Sequence, residues 1–208
     1  MPRRPTLQRE RALWAAGRQH VAGLDEVGRG PLAGPVVAAA VVFGPGAAAI
    51  RGLRDSKQLT ARQRERLGQQ IRDRAAAWAV GAASVREIDR VNIRCATALA
   101  LARALRRLSV SPDHVLLDGT PLPELGCSHE AIVDGDARCH SIAAASVLAK
   151  LVRDRLMRLL ARRHPAFGWD HNMGYGTREH LRALDREGPT AHHRKSFMPV
   201  VQLDVFGH

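Results

Sequence analysis

Residues 23–37 read GLDEVGRGPLAGPVV, the most informative pattern in the chain. The apolar segment 21–25 leads into it and ends at the acidic pair Asp25–Glu26. Residues 35–43, beyond the glycines, are continuously apolar and rich in valine, which is typical of a strand buried on both faces. The pattern therefore predicts two strands in succession, with two carboxylates at the end of the first.

Three further strands are predicted along the chain. Residues 76–83 read as one, and the apolar runs at 114–117 and 131–133 are each followed within two residues by Asp-Gly, a turn signal. Because the early strands follow one another and the later ones alternate with helical patterns, the chain is predicted to form an α/β domain with a mixed sheet.

Helices are predicted from start signals and from apolar spacing. Thr60 begins Thr-x-x-Gln and Ser84 begins Ser-x-x-Glu, two capping boxes. Another helix is predicted after Ser141, and a short one over Thr177–Arg186. Apolar residues recur at helical spacing on two of these helices and predict their buried faces: Ile88, Val91, Cys95, Leu99, Ala102 and Leu105 on one, and Ala145, Leu148, Val152, Leu156 and Leu159 on the other.

Composition limits the class of protein. The 208 residues are 45% hydrophobic, enough for one domain with a core. No apolar run is long enough to span a membrane, and the first 20 residues lack the apolar core of a secretory signal. The three cysteines predict neither disulfides nor a zinc site. A cytoplasmic protein is therefore expected. The net charge of +12 favours a polyanionic partner such as nucleic acid, although a high-GC genome, which raises the arginine and alanine content of proteins generally, would raise the charge too.

The acidic residues lie where strands are predicted to end. Besides Asp25–Glu26, Asp118 precedes Gly119, and Asp134 and Asp136 flank Gly135. If these strands are neighbours, their carboxylates converge and repel one another, and a hard divalent cation would offset that repulsion. The alternative is that each Asp-Gly pair is an ordinary turn. Spacing alone leaves both interpretations open.

The residues resemble one known family along most of the chain. The stretch 23–37 is similar to the signature of ribonuclease HII, and the match continues in the family's order from about residue 20 to residue 200. Its further blocks are Asp55-Ser56-Lys57, Leu117-Asp118-Gly119, Gly135-Asp136, residues 141–150, Arg153-Asp154, residues 174–177 and residues 193–197. A match of this length is much more specific than a single short motif.

The resemblance implies a ribonuclease H-like fold, with a five-stranded mixed sheet flanked by helices and a helical C-terminal portion. It also implies an endonuclease that hydrolyses the RNA of RNA–DNA hybrids and nicks 5′ of ribonucleotides in duplex DNA, leaving 3′-hydroxyl and 5′-phosphate ends. Two Mg²⁺ or Mn²⁺ ions would be held by four carboxylates: Asp25, Glu26, Asp118 and Asp136. Asp134 is left out of this set, and Asp154 is expected to pair with Lys150 or Arg153.

The resemblance also implies residues for substrate recognition. The backbone of Gly28, Arg29 and Gly30 would read the ribose 2′-OH, which distinguishes RNA from DNA, and Tyr175 would stack on the sugar beyond the cleaved bond. Alternatives are a plain turn before Pro31 and a core tyrosine. Phosphate contacts are expected from basic residues that could instead be merely solvated: Lys57, Lys150, Arg194 and Lys195.

Three segments are predicted: residues 1–19, a basic tail or a short helix near Leu13; residues 20–200, the catalytic domain; and residues 201–208, a C-terminal tail. In that tail Gln202, Leu203 and Phe206 resemble the peptide by which bacterial repair proteins bind the sliding clamp, with a packed or disordered tail as the alternative. A monomer is expected. Competing functions are another ribonuclease H-like nuclease and a non-catalytic, basic nucleic-acid-binding protein.

Overall fold

The computed structural model describes residues 4–200 and has one central sheet. Its strands are β1 (Val21–Val27), β2 (Val36–Phe43), β3 (Ala77–Ala83), β4 (His114–Asp118) and β5 (Glu130–Ile132). Their order is β3-β2-β1-β4-β5. β1 pairs antiparallel with β2 and parallel with β4, β2 pairs antiparallel with β3, and β4 pairs parallel with β5. The predicted five-stranded mixed sheet is confirmed.

Helices flank the sheet and form the C-terminal region, and residues 4–200 contain α1 (Gln8–Ala15), α2 (Ala61–Arg74), α3 (Val85–Arg106), α4 (His140–Arg163), α5 (Trp169–Asn172) and α6 (Arg178–Glu187). α3 packs on one face, while α2 and α4 pack on the other. All of β2 is at most 1% exposed, because both of its faces are covered. This burial explains why its sequence is continuously apolar instead of alternating.

Both predicted capping boxes are present. The amide of Thr60 donates to Gln63 Oε1 (2.9 Å) at the start of α2, and the amide of Ser84 donates to Glu87 Oε2 (2.8 Å) at the start of α3. In each case the side chain of the first residue accepts from the backbone amide of the second. These bonds satisfy amides that have no partner within the helix.

α3 is interrupted at Asn92, whose φ of 67° is not helical. The Asn92 side chain accepts from the amide of Cys95 (3.0 Å) and restarts the helix there. The interruption changes which face is buried. The predicted stripe is half-buried beyond this point, at Cys95, Leu99, Ala102 and Leu105, while the fully buried residues are Ala96, Ala100, Leu101 and Ala104.

α4 does not have the single apolar stripe that its spacing predicted. Every residue from His140 to Ala149 is buried, because this half of the helix is covered on all sides. In the second half Leu159 is 46% exposed, so its predicted burial was wrong. The buried face there carries Arg153 and Met157 and turns toward the C-terminal region.

Within the described part of the N-terminal segment, residues 4–19, the short helix near Leu13 is present as α1. Glu10 of α1 is fully buried and accepts from the amide (2.8 Å) and the hydroxyl (2.7 Å) of Ser141. Its carboxylate thus serves the first turn of α4, where amides need acceptors. The predicted clamp-binding residues Gln202, Leu203 and Phe206 lie outside the described residues. No helix within residues 4–200 is long and apolar enough to cross a membrane.

Candidate active site

The pairing of β1 with β4 brings two of the predicted carboxylates together. Leu24 and Leu117 are partners in the parallel register, and each is followed by an acid, Asp25 on β1 and Asp118 on β4. The pairing ends there, since β4 ends at Asp118 while β1 continues to Val27 beside β2, so the two acids lie next to each other at this shared edge of β1 and β4. α4 packs closely against β1, because Gly23 has no Cβ to collide with the backbone of Ser141.

The turn after β5 adds a third carboxylate. Residues Gly135–Ala137 form a single 3₁₀ turn that carries Asp136. Asp118 Oδ1 accepts from the amides of Gly135 (2.7 Å) and Asp136 (3.4 Å), which ties this turn to the end of β4. Asp134 is exposed, and its backbone is left-handed with φ of 53°.

The pKa values of these acids reflect their closeness. Burial raises the pKa of Asp25 well above its usual range, and the charges of Glu26 and Asp118 raise it further. Burial also raises the pKa values of Glu26 and Asp118, although Arg29 opposes this at Glu26. The pKa of Asp136 is raised to about 6 by burial and by the charges of Asp118 and Asp55. The edge of the sheet therefore concentrates negative charge that a cation would stabilise.

Three of the four carboxylates form hydrogen bonds or an ion pair with other groups of the protein. Asp25 accepts from the amide of Glu26 (2.7 Å), Glu26 pairs with Arg29 (3.3 Å), and Asp118 binds the turn after β5. No group of three or more His, Cys, Asp or Glu side chains within residues 4–200 is arranged so that it could hold a metal ion. The all-oxygen donor set nevertheless has the chemistry that suits Mg²⁺ or Mn²⁺.

Two residues outside the predicted set belong to this site. Ser146 of α4 lowers the pKa of Asp25 by hydrogen bonding, and its Oγ lies 2.9 Å from that of Ser56. A hydroxyl can turn its proton, so Ser56 can donate to Ser146 while Ser146 donates to Asp25. Asp55 raises the pKa of Asp136. The only sequence signal for Ser146 or Asp55 was membership of a matching block.

The predicted recognition residues also come together. Gly28, Arg29 and Gly30 follow β1 directly, and Arg29 and Gly30 are exposed. Tyr175 is 48% exposed, and its Cε1 would lie 3.7 Å from a Cβ placed on Gly30. The two segments are joined where the amide of Leu32 donates to the carbonyl of Gly174 (2.8 Å).

The basic residues predicted to contact phosphate differ in their exposure and in their partners. Lys57 and Lys195 are exposed, and the charges of Asp55, Asp25, Asp136 and Asp118 raise the pKa of Lys57 against the opposing effect of burial. Lys150 pairs with Asp154 (2.7 Å), as predicted, and Asp154 also contacts Arg64 (3.5 Å). Arg194 is fully buried, so the prediction that it contacts phosphate was wrong: it binds main-chain carbonyls instead.

Comparisons with known proteins identify the family that the sequence resembles. The family model for Ribonuclease HII matches residues 22–200. A Ribonuclease HII from Sphingopyxis alaskensis is 52% identical over 200 residues, which are 96% of this chain and 100% of that protein.

Two solved structures have the same fold. One is the ribonuclease H2 from Pyrococcus horikoshii OT3, with a TM-score of 0.75 and 25% identity over 90% of this chain and 98% of that one. The other is in the PCNA:RNase HII complex from Archaeoglobus fulgidus, with a TM-score of 0.70 and 25% identity over 86% of this chain and 95% of that one.

The family match covers most of the chain and excludes a non-catalytic binding protein or a nuclease of a different ribonuclease H-like family. The chain belongs to the ribonuclease HII family, and it is therefore a ribonuclease H, a metal-dependent endonuclease that acts on the RNA of RNA–DNA hybrids.

Proposed function

We propose that the protein nicks duplex DNA on the 5′ side of an embedded ribonucleotide, as well as cutting RNA in hybrids, and leaves 3′-hydroxyl and 5′-phosphate ends. The observation that carries the proposal is the shared edge of β1 and β4, where Asp118 ends β4 beside Asp136 and Asp25 follows the last residue of β1 that pairs with β4. Such an activity would remove misincorporated ribonucleotides from DNA, and the protein would act in the cytoplasm.

Asp25, Glu26, Asp118 and Asp136 would hold two divalent ions, Mg²⁺ or Mn²⁺. When bound, such ions activate the attacking water and stabilise the leaving oxygen. Ser146 orients Asp25 by hydrogen bonding, and the amide of Gly135 orients Asp118. Lys57 remains protonated beside the carboxylates and supplies a positive charge for the phosphate of the substrate.

Recognition of the substrate would come from the loop after β1 and from Tyr175. Arg29 and Gly30 are exposed, and a glycine lets the backbone approach a ribose closely enough for hydrogen bonds with its 2′-OH. The half-exposed ring of Tyr175, next to Gly30, offers a flat apolar face on which a sugar can stack. The protein would then cut where a 2′-OH lies against the loop and a sugar lies against the ring.

The decisive experiment uses a duplex with a single ribonucleotide and an all-DNA duplex as control. We expect one nick, 5′ of the ribonucleotide, that requires Mg²⁺ or Mn²⁺, with ends identified as 3′-hydroxyl and 5′-phosphate. Parallel reactions with the two metals would identify the preferred ion. Binding without nicking in either metal, or a nick on the 3′ side, would contradict the proposal.

A second proposal concerns the tail. The complex of the Archaeoglobus fulgidus relative with PCNA supports an interaction of this chain with a sliding clamp through Gln202, Leu203 and Phe206. Deleting residues 202–208 should abolish clamp binding, measured by surface plasmon resonance, and leave the nicking rate unchanged. The matched control exchanges Leu203 and Phe206 for alanine and keeps the length. Clamp binding by the truncated protein would refute the proposal.

A further inference from the structure

Two fully buried arginines lie behind the loop that joins β1 to β2. Arg153 is on α4 and Arg194 is in the C-terminal region, and both are 0% exposed. Their guanidinium groups donate to main-chain carbonyls. Burying a cation is costly, and arginine is rarely buried completely without a paired charge. The hydrogen bonds to main-chain carbonyls offset this cost. The fold therefore depends on these carbonyl groups keeping the positions in which they accept from the two guanidinium groups.

Arg194 binds the loop at both of its ends. Its Nη1 donates to the carbonyl of Arg29 (2.8 Å) and its Nη2 to the carbonyl of Gly28 (2.5 Å). Its Nε donates to the carbonyl of Gly34 (3.0 Å), and its own amide donates to the carbonyl of Leu32 (2.8 Å). A planar guanidinium with several fixed donors can serve this set of acceptors at once.

These bonds also determine the direction of the amides that follow. In a planar trans peptide the C=O and the N–H point in opposite directions. Because the carbonyls of Gly28 and Arg29 point inward to Arg194, the amides of Arg29 and Gly30 point away from it. Both of these residues are exposed, and a Cβ placed on Gly30 would lie 3.7 Å from Cε1 of Tyr175, so amides that point away from the buried guanidinium point toward the exposed side of the loop.

Arg153 connects the same loop with the tyrosine segment. It donates to the carbonyls of Ala33 (3.2 Å) and Pro35 (3.1 Å) and also to that of Met173 (3.0 Å), two residues before Tyr175. The loop and the tyrosine thus share one buried cation. Arg153 also lies where a side chain on Gly28 would have to go, and the φ of Gly28 is +94°.

We infer that Arg194, assisted by Arg153, is a positioning residue for ribose recognition: it turns the amides of Arg29 and Gly30 toward the substrate without touching the substrate itself. The inference rests on the proposed role of the loop in reading the 2′-OH. It assigns discrimination between ribose and deoxyribose to a buried side chain that lies more than 160 positions from Gly28 and Arg29 in the chain.

The test measures affinity, so that cleavage does not interfere. In an Asp118→Asn background, the dissociation constants for a duplex with one ribonucleotide and for an all-DNA duplex give a discrimination ratio. Arg194→Lys keeps the charge but presents its donors from a single nitrogen and not from a planar fork, and it should reduce this ratio about tenfold, the loss of roughly one hydrogen bond. Arg155→Lys, an exposed arginine on α4, is the matched control and should leave the ratio unchanged.

The possible results lead to different conclusions. If Arg194→Lys folds and keeps the parental ratio, the positioning role is wrong while the loop's role stands. If the parental protein itself does not discriminate, recognition of the 2′-OH by the loop fails, and the inference fails with it. Equal weakening for both duplexes would indicate only general damage and would also overturn it.

A measurement on the protein with Arg194 intact covers the case in which Arg194→Lys does not fold. In NMR spectra the amide protons of Arg29 and Gly30 should exchange readily with solvent. Their resonances should shift when the ribonucleotide-containing duplex is added and much less with the all-DNA duplex. Slow exchange without a duplex, or equal shifts with both, would overturn the inference.

Discussion

Asp25 and Asp118 each lie one residue beyond the paired Leu24 and Leu117 on two neighbouring parallel strands, where β4 ends and β1 continues to Val27. The charge of Asp118 raises the pKa of Asp25, so the two carboxylates repel each other in the metal-free protein. Such repulsion makes the fold less stable than it would be with a neutral residue at one of the two positions. A site of this kind sacrifices stability for the ability to hold cations.

The first prediction concerns Asp118→Asn. Nicking should fall to the level seen without metal, because one anionic ligand is lost. The melting temperature of the metal-free protein should rise, because repulsion with Asp25 is relieved while the amide oxygen can still accept from Gly135. Differential scanning calorimetry and a nicking assay would measure both effects.

Asp134→Asn is the control for this prediction, since Asp134 is exposed and lies two residues from Asp136. It should nick normally. A fully active Asp118→Asn variant, or equal loss of activity in Asp134→Asn, would contradict the assignment of the carboxylates.

The second prediction concerns Gly28, whose φ is +94° and whose Cβ, if present, would overlap the Arg153 side chain. Gly28→Ala should reduce the free energy of unfolding by about 2–5 kcal/mol, from backbone strain and steric overlap together. Gly46 has a similar φ of +82°, but a methyl group added there would have nothing within 4 Å, so Gly46→Ala should cost only about 1–2 kcal/mol of strain. Urea denaturation of both variants checks this, and equal losses would show that the overlap does not matter.

The third prediction concerns Tyr175, which is 48% exposed. If its ring stacks on the substrate, Tyr175→Ala should lower kcat/KM about 10- to 100-fold, as expected for a stacking contribution of roughly 1–3 kcal/mol. Tyr175→Phe keeps the ring and should retain most of the activity. Neither melting temperature should change greatly, because the side chain is half-exposed. A large drop in the melting temperature of Tyr175→Ala would instead indicate a core role.

The fourth prediction is a pH dependence of stability that comes from His140. This residue is buried, its Nε2 accepts from the amide of Ile50 (3.0 Å), and burial lowers its pKa to about 4. The unfolded chain, with a histidine pKa near about 6.5, binds a proton that the native state does not bind. The stability associated with neutral His140 is therefore complete above pH ~6.5 and decreases as the pH falls to ~4, by about 3 kcal/mol.

His140→Gln removes this titration while it keeps an acceptor near the position of Nε2 for the Ile50 amide. Between pH 6.5 and 4 the free energy of unfolding of the variant should decrease less steeply than that of the parental protein. The comparison of slopes cancels the contributions of other groups and any constant cost of the substitution. Parallel profiles would show that His140 is not the titrating group.

Local patterns predicted most of the fold. The strands lie where the apolar runs are, and the helices begin at Thr60 and Ser84 because capping boxes are local signals. The interruption at Asn92 was missed because an asparagine on an exposed helix surface carries no distinctive spacing. The exposure of Leu159 was missed because tertiary packing determines which face of α4 is covered.

The site was predicted less directly. Acids at predicted strand ends indicated a cation site. Convergence of Asp25 with Asp118, however, depends on parallel pairing between strands that are far apart in the chain. Only the family resemblance selected the four carboxylates that would hold the metal. Arg194 resembled any solvated base, since its carbonyl partners come from a distant loop. Long-range contacts of this kind leave no periodic pattern in the sequence.

Anomalous X-ray diffraction from crystals of the protein soaked in Mn²⁺ would locate the metal itself. We expect manganese peaks within bonding distance of the carboxylates of Asp25, Glu26, Asp118 and Asp136, and their loss in crystals of Asp118→Asn. Active crystals with manganese bound elsewhere, or with no peak between these four side chains, would contradict a metal site at the shared edge of β1 and β4.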